Sequence, residues 1–435
     1  MIEDRLNIAI YARKFVIKEA TGSFTFTNSF LYVPKSLEKK FSISLIFKTK
    51  KDVQDYKSAF PNCKKQLFSL CQYQRNLTSP KLSQLDSLKF RIGAWIKKLL
   101  DQFFLKIELV HPSITNDFLK MEKLSMEQLV DRNQIDLIVY PFWFDYPTIN
   151  RPYIIFYWDA AHRYLSFMPD MASRNDMQVE AVFKPALENA FKVIVPNNAA
   201  VVELEALYKV GIPESKYSII PFVISENTNT ENNEELSIYD RFAIKDSYLF
   251  IPAGFWPHKN HKVVIDAVKI LNERGIQLEV VMTGPDRGNY QYIQDLIKKS
   301  DLKEQFHYLG FVDRSELISL YKNAFAMVFS SIVGPNNYPP IEAASHGCPV
   351  ILSDLTGHRE QMGESALYFD KFNPNELADQ IQLLKENNAL REGLIQAGKK
   401  LVKGLEPSKY FDQLENVFDE FKNYRLLWGD RYSLK

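Results

Sequence analysis

The sequence predicts an α/β protein of two doubly wound, Rossmann-like domains whose parallel sheets face each other across a cleft. Three observations predict it. Downstream of residue 247, short apolar strands alternate strictly with helix-patterned segments. Upstream, apolar runs of the same kind recur at spacings that leave room for crossover helices. Between the two halves lies a polar, Asn/Glu-rich stretch, ISENTNTENNEELS (224–237), with the composition of an interdomain linker. Near-continuous apolar strands are the mark of parallel sheets, whose strands are covered on both faces by helices.

In chain order, LNIAIYA reads as the first strand, followed by a loop with Gly22, a helix-like run to Lys40 and the strand FSISLIF. IDLIVYP, YIIFYWD and KVIVPN are three further strands, and YSIIPF closes the first half. After the linker, YLFIP leads into a helix with Val264, Ala267, Val268 and Leu271 on one face, at helical spacing. LEVVMTG precedes the helix YIQDLIKKS, FHYLGF precedes SELISLYKNA, and AFAMVFSS precedes the PPIEAASHG helix. PVILSD, ALYFD and the helix NELADQIQLLKEN complete the pattern. The domains are therefore placed at 1–222 and 247–409, joined by a linker over 223–246. Residues 410–435 are expected to form a helix returning toward the first domain.

At 435 residues, two domains fit the usual size range. A hydrophobic content of 46% and a charged content of 25% are those of a globular protein with a large core. The net charge of +1 supplies no global field to recruit nucleic acid. Three cysteines (Cys63, Cys71, Cys348) without a CxxC pair suit a reducing compartment. The N-terminus carries charges where a signal peptide needs an apolar core, and no run approaches 18 apolar residues. A cytoplasmic protein, soluble or peripheral to the inner face of a membrane, is expected. KFRIGAWIKKLLDQFFLK (89–106) is a basic amphipathic segment that suits either an anionic membrane surface or a core helix with a solvated rim.

The most informative motif is FWPHKNH (Phe255–His261), which closes one strand and opens a helix. Lys259 and the amides of Asn260 and His261 would meet an anion there, since free N–H groups and the helix dipole favour phosphate. The alternative is an ordinary capping turn with Asn260 as the cap. A second loop-to-helix junction, GPNNYPPIEAASHGCPVILSD (Gly334–Asp354), carries Glu342 in a tightly packed helix start. In a doubly wound sheet both junctions, with Gly284, Gly310 and 353–357, lie beyond the carboxyl ends of the strands, where ligands bind. Neither half has GxGxxG after its first strand, and no GxxxxGK[ST] exists. The seven histidines are scattered and form no HExxH, so no metal site is expected.

These motifs together resemble the C-terminal half of a family 4 glycosyltransferase of the GT-B fold, strongly over about 245–390 and loosely upstream. The resemblance implies a retaining, metal-independent transferase that uses a nucleoside diphosphate sugar as donor substrate and needs no cofactor. It places Lys259 on the donor diphosphate, with Gly254, His258, Asn260 and Gly284 around it. Family members usually carry an arginine a few residues before that lysine. Here the neighbourhood reads Gly254-Phe255-Trp256, and His258 and Arg287 are both candidates to compensate. Of the family's two glutamates eight positions apart, the second is Glu342, expected on the ribose hydroxyls. The first is replaced by Gly334, so Pro335, Asn336, Asn337 and the loop amides would face the sugar.

YWDAAHRYLSFMPD (Tyr157–Asp170) is the N-terminal counterpart. Many relatives end this strand with a His-Asp pair, and this chain has Trp158-Asp159 with His162 and Arg163 one helical turn on. His162 would lie near the transferring sugar, with Gly22, Asp159 and Arg163 on the acceptor side. The catalytic set implied is His162, Lys259 and Glu342. The expected reaction moves a hexose, mannose-like, to a glycan or lipid-linked acceptor in cell-surface polysaccharide synthesis. A non-catalytic sugar-nucleotide-binding protein and a sugar-nucleotide epimerase of the same fold are the alternatives, since the missing first glutamate is also what decay would look like.

Overall fold

A computed structural model describes residues 5–13, 35–60, 65–70, 123–141, 149–172, 176–208, 214–222, 244 and 247–428. Gly22, the 89–106 segment and all of the linker except Ile244 lie outside the described residues.

The first domain is a seven-stranded sheet in the order β3-β2-β1-β4-β5-β6-β7, every pairing parallel. Its strands are β1 (Asn7–Arg13), β2 (Ser42–Phe47), β3 (Gln66–Ser69), β4 (Leu137–Tyr140), β5 (Tyr153–Phe156), β6 (Lys192–Val195) and β7 (Tyr217–Ile219). β4 and β6 are buried along their whole length, as apolar runs in a covered parallel sheet should be. β3 was not expected. It is a half-buried edge strand with a polar first residue, and an edge position does not demand an apolar run. The helices of this half are α1 (Lys35–Lys40), α2 (Lys50–Ala59), α3 (Ala161–Tyr164), α4 (Pro169–Ala172), α5 (Asp176–Asn189) and α6 (Asn198–Tyr208), with a further helical stretch over 123–132.

The second domain is a six-stranded parallel sheet, β10-β9-β8-β11-β12-β13. Its strands are β8 (Tyr248–Pro252), β9 (Glu279–Thr283), β10 (Phe306–Tyr308), β11 (Ala326–Phe329), β12 (Val350–Ser353) and β13 (Leu367–Phe369). Helices α7 (His261–Glu273), α8 (Tyr290–Lys299), α9 (Arg314–Asn323), α10 (Tyr338–Ser345), α11 (Thr356–Met362), α12 (Pro374–Glu386) and α13 (Asn388–Gly404) cover it. On α7 the apolar stripe Val264, Ala267, Val268, Leu271 is buried, so the helical spacing in the sequence does face the core. The strand order reverses between β8 and β11, which creates the crevice that ligands of such sheets occupy.

The last helix, α14 (Pro407–Arg425), lies against the first domain. Phe418 meets Phe41 edge-on at 5.4 Å, Phe421 meets Phe191 at 5.1 Å, and Arg425 pairs with Asp136 at 2.7 Å. Phe222, at the end of the first domain, stacks on Tyr338 of α10 with ring centroids 4.7 Å apart and planes 11° from parallel. Among the described residues no helix is long and apolar enough to cross a membrane.

Candidate donor-binding cleft

A cleft of about 500 Å³ opens between the two sheets at this crevice. Its C-terminal wall includes Gly254, His258, Lys259, Gly284, Arg287, Gly334, Asn336, Asn337 and Glu342, and its N-terminal wall includes Trp158, Asp159 and Phe222. Most of the residues singled out in the C-terminal half of the sequence therefore meet in one place.

Lys259 sits on a 3₁₀ turn, Pro257–Lys259, that links β8 to α7. The hydroxyl of Ser330, just past β11, donates to the Lys259 carbonyl at 2.9 Å and fixes the turn at the sheet's reversal point. The ammonium lies 4.7 Å from the Phe329 ring centroid and has no hydrogen-bond or ion-pair partner among the described residues. Burial lowers its pKa to about 8 against the opposing pull of Asp159 and Asp170. An unpaired, partly desolvated cation of this kind favours an incoming anion. Arg287, exposed on the same wall, stacks over Trp256 with its guanidinium 5.5 Å from the ring centroid.

Asn260 corrects the expectation of a free helix-end amide. It adopts the left-handed conformation (φ 52°, ψ 46°), its N–H closes the turn onto the Pro257 carbonyl at 3.1 Å, and its side-chain amide donates to the Lys371 carbonyl at 2.7 Å. Nor does its side chain cap α7. His261 is buried and stacked on Phe255 at 4.5 Å, away from the cleft. The full charge at this junction is that of Lys259, and the Asn260 amide is spent on closing the turn.

His258 is held from the other domain. Its Nδ1 hydrogen-bonds the Asp170 carboxylate on α4. Burial lowers the His258 pKa, with Lys259 adding to the effect and the contact to Asp170 opposing it. Burial pushes the Asp170 carboxyl up, but the hydrogen bond and charge of His258 together with backbone hydrogen bonds outweigh it, and the net shift is down. Both directions fit a neutral imidazole donating its Nδ1 hydrogen to an ionised carboxylate.

Glu342 is buried in the first turns of α10, and both its oxygens are engaged. Arg314 of α9 donates to Oε1 at 2.8 Å, and the Tyr321 hydroxyl donates to Oε2 at 3.3 Å. A carboxylate has about four acceptor positions, so two remain for a ligand.

The glycines explain how tightly these loops are drawn. Gly284 has φ +123°, and a Cβ there would stand 2.7 Å from the Gly254 nitrogen, so only glycine lets the ends of β8 and β9 approach. Gly334 has φ +113°, and a Cβ there would stand 3.1 Å from Asn337 Nδ2. Pro335 accepts a hydrogen bond from Asn197 of the first domain at 2.7 Å, tying this loop across the cleft.

His162 and Arg163 are corrected as well, because neither reaches the cleft. His162 is buried, with Nε2 2.7 Å from Glu180 of α5. Arg163 packs over the Tyr208 ring at 4.5 Å and donates to the Leu207 carbonyl. The short helix α3 turns these side chains into the first domain and leaves Trp158 and Asp159 at the cleft wall. Glu203 holds that turn by accepting from Tyr157, Tyr164 (2.5 Å) and the Ala160 N–H (3.1 Å). Sequence reading missed Asp170, Arg314 and His358 as partners of the site. Asp170 ends the very motif that carries Trp158-Asp159, whereas Arg314 is one helical charge among many and gives no local signal.

Two facing parallel doubly wound sheets with a cleft at their strand ends define the GT-B class of glycosyltransferases, and this chain has that fold. Residues 240–401 match the model of the family described as glycosyl transferases group 1. Among curated proteins the chain is similar to O-antigen chain mannosyltransferase RfbU of Salmonella typhimurium, 32% identical over 124 residues. That match covers 28% of this chain, which spans only 34% of the relative's length. Among solved structures it is similar to sucrose-phosphate synthase from Thermosynechococcus elongatus (TM-score 0.68, 16% identity, 97% of this chain and 100% of that one). It is also similar to Anabaena Alr3699/HepE in complex with UDP-glucose (TM-score 0.64, 13% identity, 96% and 100%).

Proposed function

We propose that the protein is a retaining glycosyltransferase that moves a mannose-like hexose from a nucleoside diphosphate sugar to a glycan or lipid-linked acceptor. The setting would be cell-surface polysaccharide synthesis at the cytosolic side of the membrane. The observation that carries the reading is Lys259: an unpaired ammonium in the cleft, on the same wall as the buried carboxylate of Glu342. One suits a diphosphate and the other a pair of ribose hydroxyls. Similarity to a mannosyltransferase favours mannose.

In this reading Glu342 is held by Arg314 and Tyr321 with its remaining lone pairs turned to the ribose, and Lys259 and Arg287 meet the diphosphate. As the glycosidic bond breaks, negative charge grows on the departing diphosphate, and a fixed cation there stabilises the transition state more than the ground state. The acceptor would enter past Trp158 and Asp159. The cross-cleft contacts Asn197–Pro335 and Asp170–His258 hold the domains together around the donor and limit the entry of water.

A thermal-shift screen with UDP, GDP and ADP tests the reading. A ligand at 100 times its Kd should add about 2.7 kcal/mol of stability. Transfer from the matching sugar nucleotide should survive EDTA, because protein cations take the leaving-group charge. Loss with EDTA and rescue by Mg²⁺ or Mn²⁺ would overturn the metal-independent mechanism, and no shift with any diphosphate would overturn the function.

A further inference from the structure

Helix α11 presses on the Gly334–Asn337 loop at three points. Gly357 lies under it so closely that a Cβ would stand 2.1 Å from the Pro335 carbonyl oxygen. Gln361 brackets the Asn337 backbone, accepting from its N–H at 3.2 Å and donating to its carbonyl at 2.6 Å. His358, fully buried, places Nε2 2.9 Å from Asn337 Nδ2.

Hydrogen-bond polarity then fixes the amide. His358 Nδ1 lies 2.8 Å from the Ser353 carbonyl oxygen, which can only accept, so Nδ1 carries the hydrogen. Burial lowers the His358 pKa to about 4, so Nε2 is a bare acceptor at neutral pH. The Asn337 group facing it must be the N–H₂ end. Asn337 lines the cleft, and its Oδ1 has no partner among the described residues. The same amide stands against Gly334, 3.1 Å from where a Cβ would be, and takes the space that a longer side chain at 334 would need.

We propose that α11, through His358 and Gln361, orients Asn337 so that its amide oxygen is an uncharged acceptor for a hydroxyl of the donor sugar. His358 and Gln361 are positioning residues and Asn337 is the sugar contact. The inference rests on the reading of the cleft as a sugar-nucleotide site and adds to it the atom that meets the sugar. A neutral acceptor suits a neutral, hydroxyl-bearing hexose and opposes a uronic acid, whose carboxylate would face a lone pair.

Two measurements on the full chain test it. Imidazole ¹⁵N NMR, with His358 assigned by through-bond correlation, should show hydrogen on Nδ1 and a bare Nε2 from pH 5.5 to 8. Hydrogen on Nε2 in that range would overturn the proposal without touching the function. In calorimetry with UDP, UDP-glucose, GDP and GDP-mannose, Asn337→Ala should bind the bare diphosphates within twofold of wild type. It should bind the sugar nucleotide that wild type prefers at least tenfold more weakly. Asn337→Asp keeps the shape of the side chain but turns an oxygen toward His358. It should show the same selective loss, with His358 titrating nearer neutrality. Equal losses for diphosphate and sugar nucleotide, or none, would overturn the sugar contact. Absence of all nucleotide binding in wild type would bring down the function together with it.

Discussion

Asp170 and His258 meet across the cleft, a carboxylate of one domain accepting a hydrogen bond from an imidazole of the other, with Lys259 next in sequence to the histidine. The pair fixes the His258 tautomer, closes the domains at this point and adds negative potential beside the lysine. Asp170→Asn removes that potential but keeps a group able to hydrogen-bond. Folding stability should fall by no more than about 1.5–3 kcal/mol, the range for a charged hydrogen bond. The Lys259 pKa should move further below its wild-type value, so the pH at which diphosphate affinity declines should shift down. A calorimetric pH series on both proteins reads the shift, and an unmoved edge would separate Asp170 from Lys259.

Lys259 itself gives that edge. Its pKa in the free protein is near 8, well below an ordinary lysine. A diphosphate favours the charged form, so the pKa rises on binding, and each complex formed above pH 8 must take up a proton. Affinity for GDP or UDP should thus be level below about pH 7.5 and fall as pH rises through 8, by up to tenfold per pH unit. Lys259→Ala should lose the edge and about 1.5–3 kcal/mol of diphosphate affinity, with nucleoside binding unchanged. Equal loss for nucleoside and diphosphate would make Lys259 structural.

The C-terminal half was legible in the sequence because its strands are nearly continuous apolar runs and its ligand loops are short, local motifs. Lys259, Gly284 and the Gly334 loop follow from position, since a doubly wound sheet puts every strand-to-helix junction at one edge, and Glu342 was singled out by the family resemblance. His162 was misplaced for a physical reason. One turn of helix after a strand can direct a side chain to cleft or core, and the choice was made by Glu180 and Tyr208, 18 and 46 residues away. Asn260 was misread because the sequence does not distinguish a capping asparagine from a left-handed one. Partnerships such as Arg314 with Glu342 or His358 with Asn337 join separate elements, and a single sequence carries no trace of them.

Gly334 stands where the family resemblance leads one to expect glutamate, and the backbone explains why glutamate cannot simply be restored. At φ +113° an L side chain is strained by about 1–3 kcal/mol, and its Cβ would press on the Asn337 amide at 3.1 Å. Gly334→Glu should lower stability by at least that amount and weaken donor binding, because Asn337 is displaced. Urea denaturation and donor titration check both. A Gly334→Glu protein with full stability and improved donor affinity would show that the loop is free to adopt another form.

Glu342 is held on one side by Arg314 and Tyr321 and opens on the other to the cleft. Its contact with the ribose would exist equally before and during sugar transfer, so it contributes uniform binding rather than transition-state stabilisation. Glu342→Gln keeps the shape and one acceptor oxygen but leaves Arg314 without its anion. Arg314 is about one-third exposed and can turn to solvent, so the cost to folding should stay near 1 kcal/mol. Steady-state kinetics should show the donor KM raised tenfold or more with kcat within about threefold. If the thermal midpoint collapsed while donor affinity held, Glu342 would be a core ion-pair residue. The ribose assignment would then pass to another group, and the case for a binding-competent but inactive relative would strengthen.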